Sequence, residues 1–488
     1  MRFFTREQLD RAFNAKSVVV VGAKRSNNYV WIRRFTQFKG KVSAVHVNPE
    51  SIREIQAAGV PCFRSVDEVP GPVDYVAVTA PRRAALEIFA QCVKAKAGAV
   101  SFFTSGFAET DEEGRMLQDK LAAMSRESGM PLLGPNCLGL FNAASGLSTS
   151  LGMPVGESGP IGMVSQSGTH HSSFVKLMYA WHGIRTGSGV SLGNAAVLDA
   201  ADWAEYIGEK PEVKVLAVYV EGIGRDRADY ERFARAVRKV SAVKPVVIWK
   251  GGSTPDGARV TGLHTGSPPI APEEWKRVVA ESGAVEADSL EGLIDTAAML
   301  VKQPTLRGPR AGVIILTGGQ GIAITDTLGR AGLRVPELSK ASLDELGTFF
   351  DPIGGSFHNP LDAAYATETP AMLARELRIL DADPQVDFVI MDLYHLIMSP
   401  QRLQSAFGLD GTLGGAAEGG AKETFLDVLA AHAREASKPF FMTVTAGEAE
   451  DAAFQARQLL KQRGILVFGS IERAATAYAT ALKAMPRH

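Results

Sequence analysis

Four times in its first 107 residues the chain runs through a short apolar, β-branched stretch and breaks at small or polar residues before the next segment: SVVVVGA (17–23), KVSAVHVNP (41–49), DYVAVTAP (74–81) and AVSFFTSGF (99–107). Strands this apolar show no solvated face, so both faces must be covered. Intervening segments with helical spacing, such as RRAALEIFAQCVKAKA (82–97), supply the cover. The pattern predicts a doubly wound parallel sheet built from βαβ units.

The same alternation returns twice. After GESGP (156–160) come IGMVSQ (161–166), RTGSGVSLG (185–193), VLAVYVEG (215–222) and PVVIWKGG (245–252). After the linker KQPTLRGPR (302–310) come AGVIILTGGQG (311–321), VDFVIMDLY (386–394), PFFMTVTAG (439–447) and ILVFGS (465–470), with GTLGGAAEGGA (411–421) read as a flexible loop. A chain of 488 residues exceeds one core. The reading is an α/β protein of three consecutive domains, 1–147, 148–303 and 304–488. A net charge of −1 offers no basic footprint for nucleic acid or an anionic membrane. Cys62, Cys92 and Cys137 form no CxxC pair, which fits a reducing cytoplasm and predicts no metal site. The opening MRFFTREQLDRAF does not read as a signal peptide, and no run approaches the ~18 apolar residues of a membrane span.

Two strand ends stand out. SQSGTHHSSF begins with Ser165, Gln166, Ser167 and Gly168; TGGQGIAITDTL carries Gly318, Gly319, Gln320 and Gly321. In both, a strand breaks at small residues and a helix follows at once. Such a turn lets backbone N–H groups and the positive end of the helix dipole approach an anion, although a tight turn alone also requires small residues. His264 lies in GARVTGLHTGSPPIAP (257–272), where no core needs it. A surface loop would account for it; so would phosphorylation, since a phosphoimidazole is a dianion that two helix starts could hold. Glu221, ending VYVEGI, reads either as an acid at a helix start or as a carboxylate that holds one imidazole nitrogen and raises the nucleophilicity of the other.

Taken in order, SVVVVGAK, VNPE, FFTSGFAE, LLGPNCLGLFN, MVSQSG, GVSLGNAAVLDAADWAEYI, VYVEGI, KGG with GARVTGLHTGS, ILTGGQG, FHNPLDAA and GILVFGSIERAATAYATAL resemble the nucleoside-diphosphate-forming acyl-CoA synthetases, α-subunit type. They resemble the succinyl-CoA synthetase α subunit more distantly. The resemblance implies a Rossmann-like CoA-binding domain followed by two flavodoxin-like domains. It also implies a relay in which acyl-CoA and phosphate become an acyl phosphate and CoA, a histidine takes the phosphoryl group, and ADP or GDP receives it. On that pattern His264 is the phosphohistidine, Glu221 its supporting acid, and Ser165–Gly168 and Gly318–Gly321 the phosphate clamps. Gly22, Ala23, Lys24, Arg25 and Ser26 would pass CoA's phosphates, Asn48 and Pro49 its adenosine, and Thr104, Ser105 and Gly106 its pantetheine arm. Asn136 would shape the substrate pocket.

The chain also departs from the family. Tyr29 and Trp31 stand where another glycine is usual, and Leu263 precedes His264 in place of serine. Thr169, His170 and His171 replace small apolar residues at the acyl end, pointing to a polar or aromatic acid. Pro268 and Pro269 stiffen the segment after the histidine. No ATP-grasp portion and no GxxxxGK[ST] loop is seen, so the resemblance implies a separate ATP-grasp β subunit that brings the nucleotide and its Mg²⁺, hence a heteromer or dimer. An acyl or carbamoyl transferase on the same cradle, or a CoA-binding regulatory protein, would share most of these motifs. A dinucleotide dehydrogenase would not: GxGxxG is missing, and the second strand ends at Asn48 without an acid.

Overall fold

The computed structural model describes the chain except residues 1–2, 225, 266–267, 269, 351–352, 354, 364–368, 394–423, 446–449 and 486–488, together with the side chains of Leu263 and Thr265. The loop expected at 411–421 lies outside the described residues, as do the last residues of the strands expected at 386–394 and 439–447. By contacts the chain condenses into two units: Met1–Tyr179 with Ile184–Leu293, and Ala180–Gly183 with Ile294–His488.

The first unit holds two sheets. One is built from β1 (Ser17–Val21), β2 (Lys41–Val45), β3 (Cys62–Phe63), β4 (Tyr75–Val78), β5 (Ala99–Phe102) and β6 (Leu132–Leu133), all parallel in the order 3-2-1-4-5-6. That is the Rossmann order, with its crevice at the carboxyl ends of β1 and β4. Gly22, at φ +83°, follows β1, and a Cβ there would sit 2.7 Å from Ala80 Cα, so only glycine lets the two loops approach.

The other sheet contains β7 (Gly139–Asn142), β8 (Ile161–Ser165), β9 (Thr186–Ser191), β10 (Val215–Val220), β11 (Val246–Lys250) and β12 (Val285–Ala287). Its order, β12-β11-β10-β8-β9-β7, is the flavodoxin order with an extra edge strand. That edge, β7, runs antiparallel to β9 although it precedes residue 147. GLFN was legible as a motif but is too short to announce a strand of the following sheet.

One apolar core runs through both sheets. At their junction the Phe13 and Tyr206 rings meet at 5.7 Å, Lys210 Nζ lies 4.2 Å from the Phe13 centroid, and the Tyr206 hydroxyl donates to Asp10 at 2.7 Å. Burying an aromatic of this size contributes roughly 1.5–3 kcal/mol, so helices Arg6–Phe13 and Ala200–Gly208 are held firmly together.

The second unit carries β13 (Ala311–Ile315), β14 (Leu361–Asp362), β15 (Phe388–Asp392), β16 (Phe440–Thr443) and β17 (Val467–Phe468). Among the described residues they form one parallel sheet in the flavodoxin order, β14-β13-β15-β16-β17. Tyr478, Phe388 and Phe441 stack beside it, the closest pair at 3.9 Å. The three successive α/β folds expected from the alternation are therefore present, one Rossmann-like and two flavodoxin-like.

Candidate active site

In a flavodoxin-type sheet, ligands gather where the strand order reverses, here between the carboxyl ends of β8 and β10. Both loops carry residues singled out from the sequence. After β8, Ser165 Oγ donates to Ser167 O at 2.7 Å, Ser167 Oγ accepts from His170 N at 3.3 Å, and a helix runs Gly168–His182. After β10 comes Glu221, 5 % exposed. Gln166 joins the two loops: its side-chain oxygen accepts from the backbone N–H of Glu221 and, at 2.9 Å, from that of Gly222. Gln166 thus has a structural task beyond any contact with phosphate.

His264 meets Glu221 directly, Nδ1 to Oε2 at 2.8 Å, while the Tyr219 hydroxyl donates to the other carboxylate oxygen at 3.1 Å. The His264 side chain is 53 % exposed, and its Nδ1 is the ring nitrogen engaged by Glu221. The hydrogen bond to Glu221 raises its pKa, opposed by burial and assisted by the charges of Glu221 and Glu109. The sequence reading put His264 in a loop, but the structure places it in the last turn of a helix, Pro255–Thr265. Proline at the first helical position suits an N-terminus, and Thr261 Oγ1 bonds Gly257 O at 3.0 Å within it. The segment hangs from Lys250, buried at the end of β11, whose Nζ donates to Gly252 O at 3.0 Å and Gly251 O at 3.2 Å.

A cavity of about 430 Å³ opens beside His264, bounded by His264, Asn136, Ser167 and Gly168. Its floor is a polar helix face, Thr169, Ser172, Ser173 and Lys176, at the i, i+3, i+4, i+7 spacing of one helix side. The opposite stripe, His171, Phe174, Val175 and Met178, is buried. Of the four residues expected in a substrate pocket, Asn136 lines the cavity, and the three on this helix part company. Thr169 lines the cavity. His170 packs between Tyr219 at 4.6 Å and Trp249 at 4.8 Å, beside Glu221, and burial lowers its pKa. His171 faces the sheet against Phe141, and burial pushes it down to about 4, so it is a neutral core residue and not a pocket group. Its register with Phe174, Val175 and Met178 was a readable signal of this. Asn136, at φ +58°, turns its amide toward His264 O and Asn194 Oδ1, both at 3.5 Å. Asn194 in turn donates to Glu109 at 2.6 Å and Gln118 at 2.9 Å. Cys137 also lines the cavity, but burial pushes its thiol up to about 12, which keeps it protonated.

On the Rossmann side, Gly22, Ala23, Lys24, Arg25 and Ser26 form the loop after β1, with Lys24 exposed. Arg25 pairs with Glu50 at 3.0 Å and Glu54 at 2.8 Å, acids in the first and second turns of the neighbouring helix. Asn48 caps that helix, accepting from Glu50 N at 2.8 Å, and Pro49 is its first residue. Thr104 is tied to Ala80 O at 2.5 Å, Ser105 is exposed, and Gly106 sits at φ +97°.

In the second unit, Gly318–Gly321 open the helix Gly318–Arg330, which has no side-chain cap at Thr317. Gly318 and Gly319 are exposed, Gln320 is half-buried, and Gly321 is packed against Ile315. Sequence reasoning missed Tyr219, Asn194, Lys176 and Lys250, whose parts in the site come from tertiary contacts.

A family described as CoA binding domain matches residues 16–143, and one described as succinyl-CoA ligase like flavodoxin domain matches residues 158–300. The chain is 30 % identical over 382 residues to the acetate–CoA ligase (ADP-forming) II α subunit of Pyrococcus furiosus, covering 78 % of this chain and 81 % of that protein. It is also 30 % identical over 388 residues to acetate–CoA ligase (ADP-forming) I of Archaeoglobus fulgidus, of which it spans 54 %. Its fold is similar to that of the dinucleotide-forming acetyl-coenzyme A synthetase 1 of Ca. Korarchaeum cryptofilum in complex with phosphate and ADP. That likeness has a TM-score of 0.79 at 25 % identity, over 98 % of this chain and 96 % of that one.

Proposed function

Since this chain belongs to the α subunits of the ADP-forming acetyl- and acyl-CoA ligases, we propose that it takes part in interconverting acyl-CoA, phosphate and ADP (or GDP) with a carboxylic acid, CoA and ATP (or GTP), the phosphoryl group being carried by a phosphohistidine at His264. The observation that carries the reading is the Glu221–His264 contact at 2.8 Å, beside a cavity lined by a helix start.

In the direction of nucleotide synthesis, a phosphate oxygen attacks the thioester carbonyl carbon and the C–S bond breaks. The sulfur leaves with the bonding pair and takes up a proton. The Ser167–Gly168 backbone and the end of the helix dipole stabilise the phosphate charge. The Nε2 lone pair of His264 then attacks phosphorus, and the carboxylate leaves with the P–O bonding pair. Glu221 accepts the hydrogen bond from Nδ1–H throughout, fixing the tautomer and balancing the positive charge the ring develops. Tyr219 keeps that carboxylate aimed.

His264 takes phosphoryl only when Nε2 is unprotonated, and its pKa is raised, so phosphoryl uptake increases as pH rises through that value. The phosphoryl group passes finally to ADP (or GDP), held with its Mg²⁺ by an ATP-grasp β subunit. In the second unit, the uncapped start at Gly318–Gly321 is a further anion-receptive end. CoA itself would pass the loop after β1, which Gly22 lets pack against the loop after β4. With Arg25 engaged by two carboxylates, Lys24 is the cation left for its phosphates, and Thr104, Ser105 and Gly106 lead its arm onward. A transferase or a regulatory CoA binder would give the Glu221–His264 pair no task.

The test uses the chain with inorganic phosphate and a panel of acyl-CoAs, following released CoA and locating acid-labile phosphate by mass spectrometry. The proposal expects phosphate on His264 with some acyl-CoAs and none in His264→Ala, which still binds CoA. Phosphate on another residue, or undiminished turnover by His264→Ala in the assembled ligase, would sink it.

A further inference from the structure

The cavity beside His264 has a wall that the relay does not use. Arg34, just past the short helix Val30–Arg33, lines it together with Phe103. The Arg34 guanidinium lies 4.0 Å from the Trp31 ring centroid, and Trp31 meets Phe103 at 4.3 Å. Its Nε and Nη1 are buried, yet hydrogen-bond to no described residue. No carboxylate lies among the described residues that line the cavity; its charged or chargeable lining is Arg34, Lys176 and His264. Burial lowers the Arg34 pKa with no compensating acid. A guanidinium is too basic to lose its proton there, and a half-buried cation with two sealed, unpaired N–H groups is stabilised when an anion arrives to meet it.

The position of Arg34 says which anion. Phosphate is served by the helix start at Ser167–Gly168 and by His264. Phe103 directly precedes Thr104–Gly106, the path assigned to the pantetheine arm, so a thioester delivered along it enters the cavity past Phe103, on the Arg34 side. Stacking on Trp31 holds the guanidinium in place at the cavity wall, where a carboxylate would meet it by a charge-assisted contact. Resting on the ligase reading above, we propose that Arg34 receives a distal carboxylate on the acyl group, so that the preferred acid is dicarboxylic.

Trp31, on which Arg34 stacks, is one of the two residues, Tyr29 and Trp31, that stand where the family's second glycine is usual. The loss of that glycine thereby reads as the gain of a specificity wall. Nothing covalent happens at Arg34; it is a positioning and specificity residue.

The test measures binding by titration calorimetry of CoA, butyryl-CoA and its ω-carboxy counterpart succinyl-CoA, with glutaryl-CoA as a longer probe. Wild type, Arg34→Gln and Arg34→Lys are compared. The expected result is a preference of about 10- to 100-fold for an ω-carboxy thioester over butyryl-CoA, the range of a charge-assisted hydrogen bond. Arg34→Gln should collapse that ratio toward one, and Arg34→Lys should retain part of it. Four results overturn the inference. One is a wild type with no such ratio, and another is a ratio that survives in Arg34→Gln. A third is equal weakening of CoA and every thioester in Arg34→Gln, which makes Arg34 a CoA contact. The fourth is a KM for inorganic phosphate that rises equally with every acyl-CoA, which makes it a phosphate receptor. Failure of CoA itself to bind the wild type would overturn the ligase reading and this inference with it, and is distinct from the other four.

Discussion

The chain carries two strand–turn–helix starts of the same design, one at Ser165–Gly168 and one at Thr317–Gly321, each after the first strand of a flavodoxin-order sheet. They are finished differently. The first is locked: Ser167 caps its helix, Gln166 ties it to the loop after β10, and a Cβ on Gly168 would press Leu138 at 2.8 Å. The second is open, with no side-chain cap at Thr317 and nothing within 4 Å of a Cβ on Gly319. Equal topology therefore does not mean equal rigidity. Under the proposed relay Glu221 and His264 must stay aligned, and there the turn is braced from several sides; the other turn has no side-chain cap at Thr317.

The sharpest break in that comparison should come from Glu221→Gln. Phosphoryl uptake by His264 should fall by about 10²-fold or more, since the carboxylate that orients and charge-balances the ring is gone. Because Glu221 is the main cause of the raised His264 pKa, the rising limb of the rate–pH profile should move to lower pH. A single-turnover pH series reads both, and an unmoved limb would remove Glu221 from the mechanism.

Gln166→Leu against Gln320→Leu tests bracing directly. The first strands two buried backbone N–H groups and should cost about 2–4 kcal/mol; the second should stay within about 0.5 kcal/mol. Denaturant titration with a probe in each unit distinguishes them, and equal losses would contradict the locked-and-open picture.

His171 behind the first start should add acid sensitivity to the first unit. Its folded pKa, about 4, lies below the ordinary value near 6.5, so the unfolded chain binds the extra proton and stability falls as pH drops between the two. By pH 4 this amounts to about 3 kcal/mol. His171→Leu should flatten that part of the stability–pH curve, and an unchanged curve would mean that the ring is not held neutral. Smallest is the pair Gly168→Ala and Gly319→Ala. The former should cost about 1–3 kcal/mol through overpacking, whereas the latter should be neutral or stabilising by up to about 1 kcal/mol. Matched thermal melts suffice, and the same sign for both would refute the difference in packing.

The central strands of all three sheets were legible in the sequence because they are continuous apolar runs, buried on both faces. The misses were short: β3, β6 and β14 have two residues each and β12 three, too few for periodicity, and β7 joins a later sheet because tertiary pairing overrides chain order. In the site, His264 and Glu221 could be matched by motif and are found in contact. That Arg25 is spent on Glu50 and Glu54, or that Tyr219 braces Glu221, could not be read, since neither relation has a local signature. The helix around His264 was obscured by its glycines and threonines, which usually mark loops. His171 was the avoidable error, because a helical spacing of three, four and seven to buried apolar residues was already in view.

The seat of His264 in the last turn of a helix has an electrostatic consequence. A helix ends in unpaired carbonyls and a negative pole, a favourable place for an imidazolium and an unfavourable one for a dianion. Under the proposed relay, phosphorylation converts the best charge for that position into the worst, and sets it beside the Glu221 carboxylate as well. The phosphoryl group would therefore bring its own eviction notice: repulsion that frays residues 255–265 and weakens the Glu221 contact when the group must be handed on. Amide exchange across that segment should quicken on phosphorylation and slow again after discharge; an unchanged rate would show that the helix tolerates its cargo.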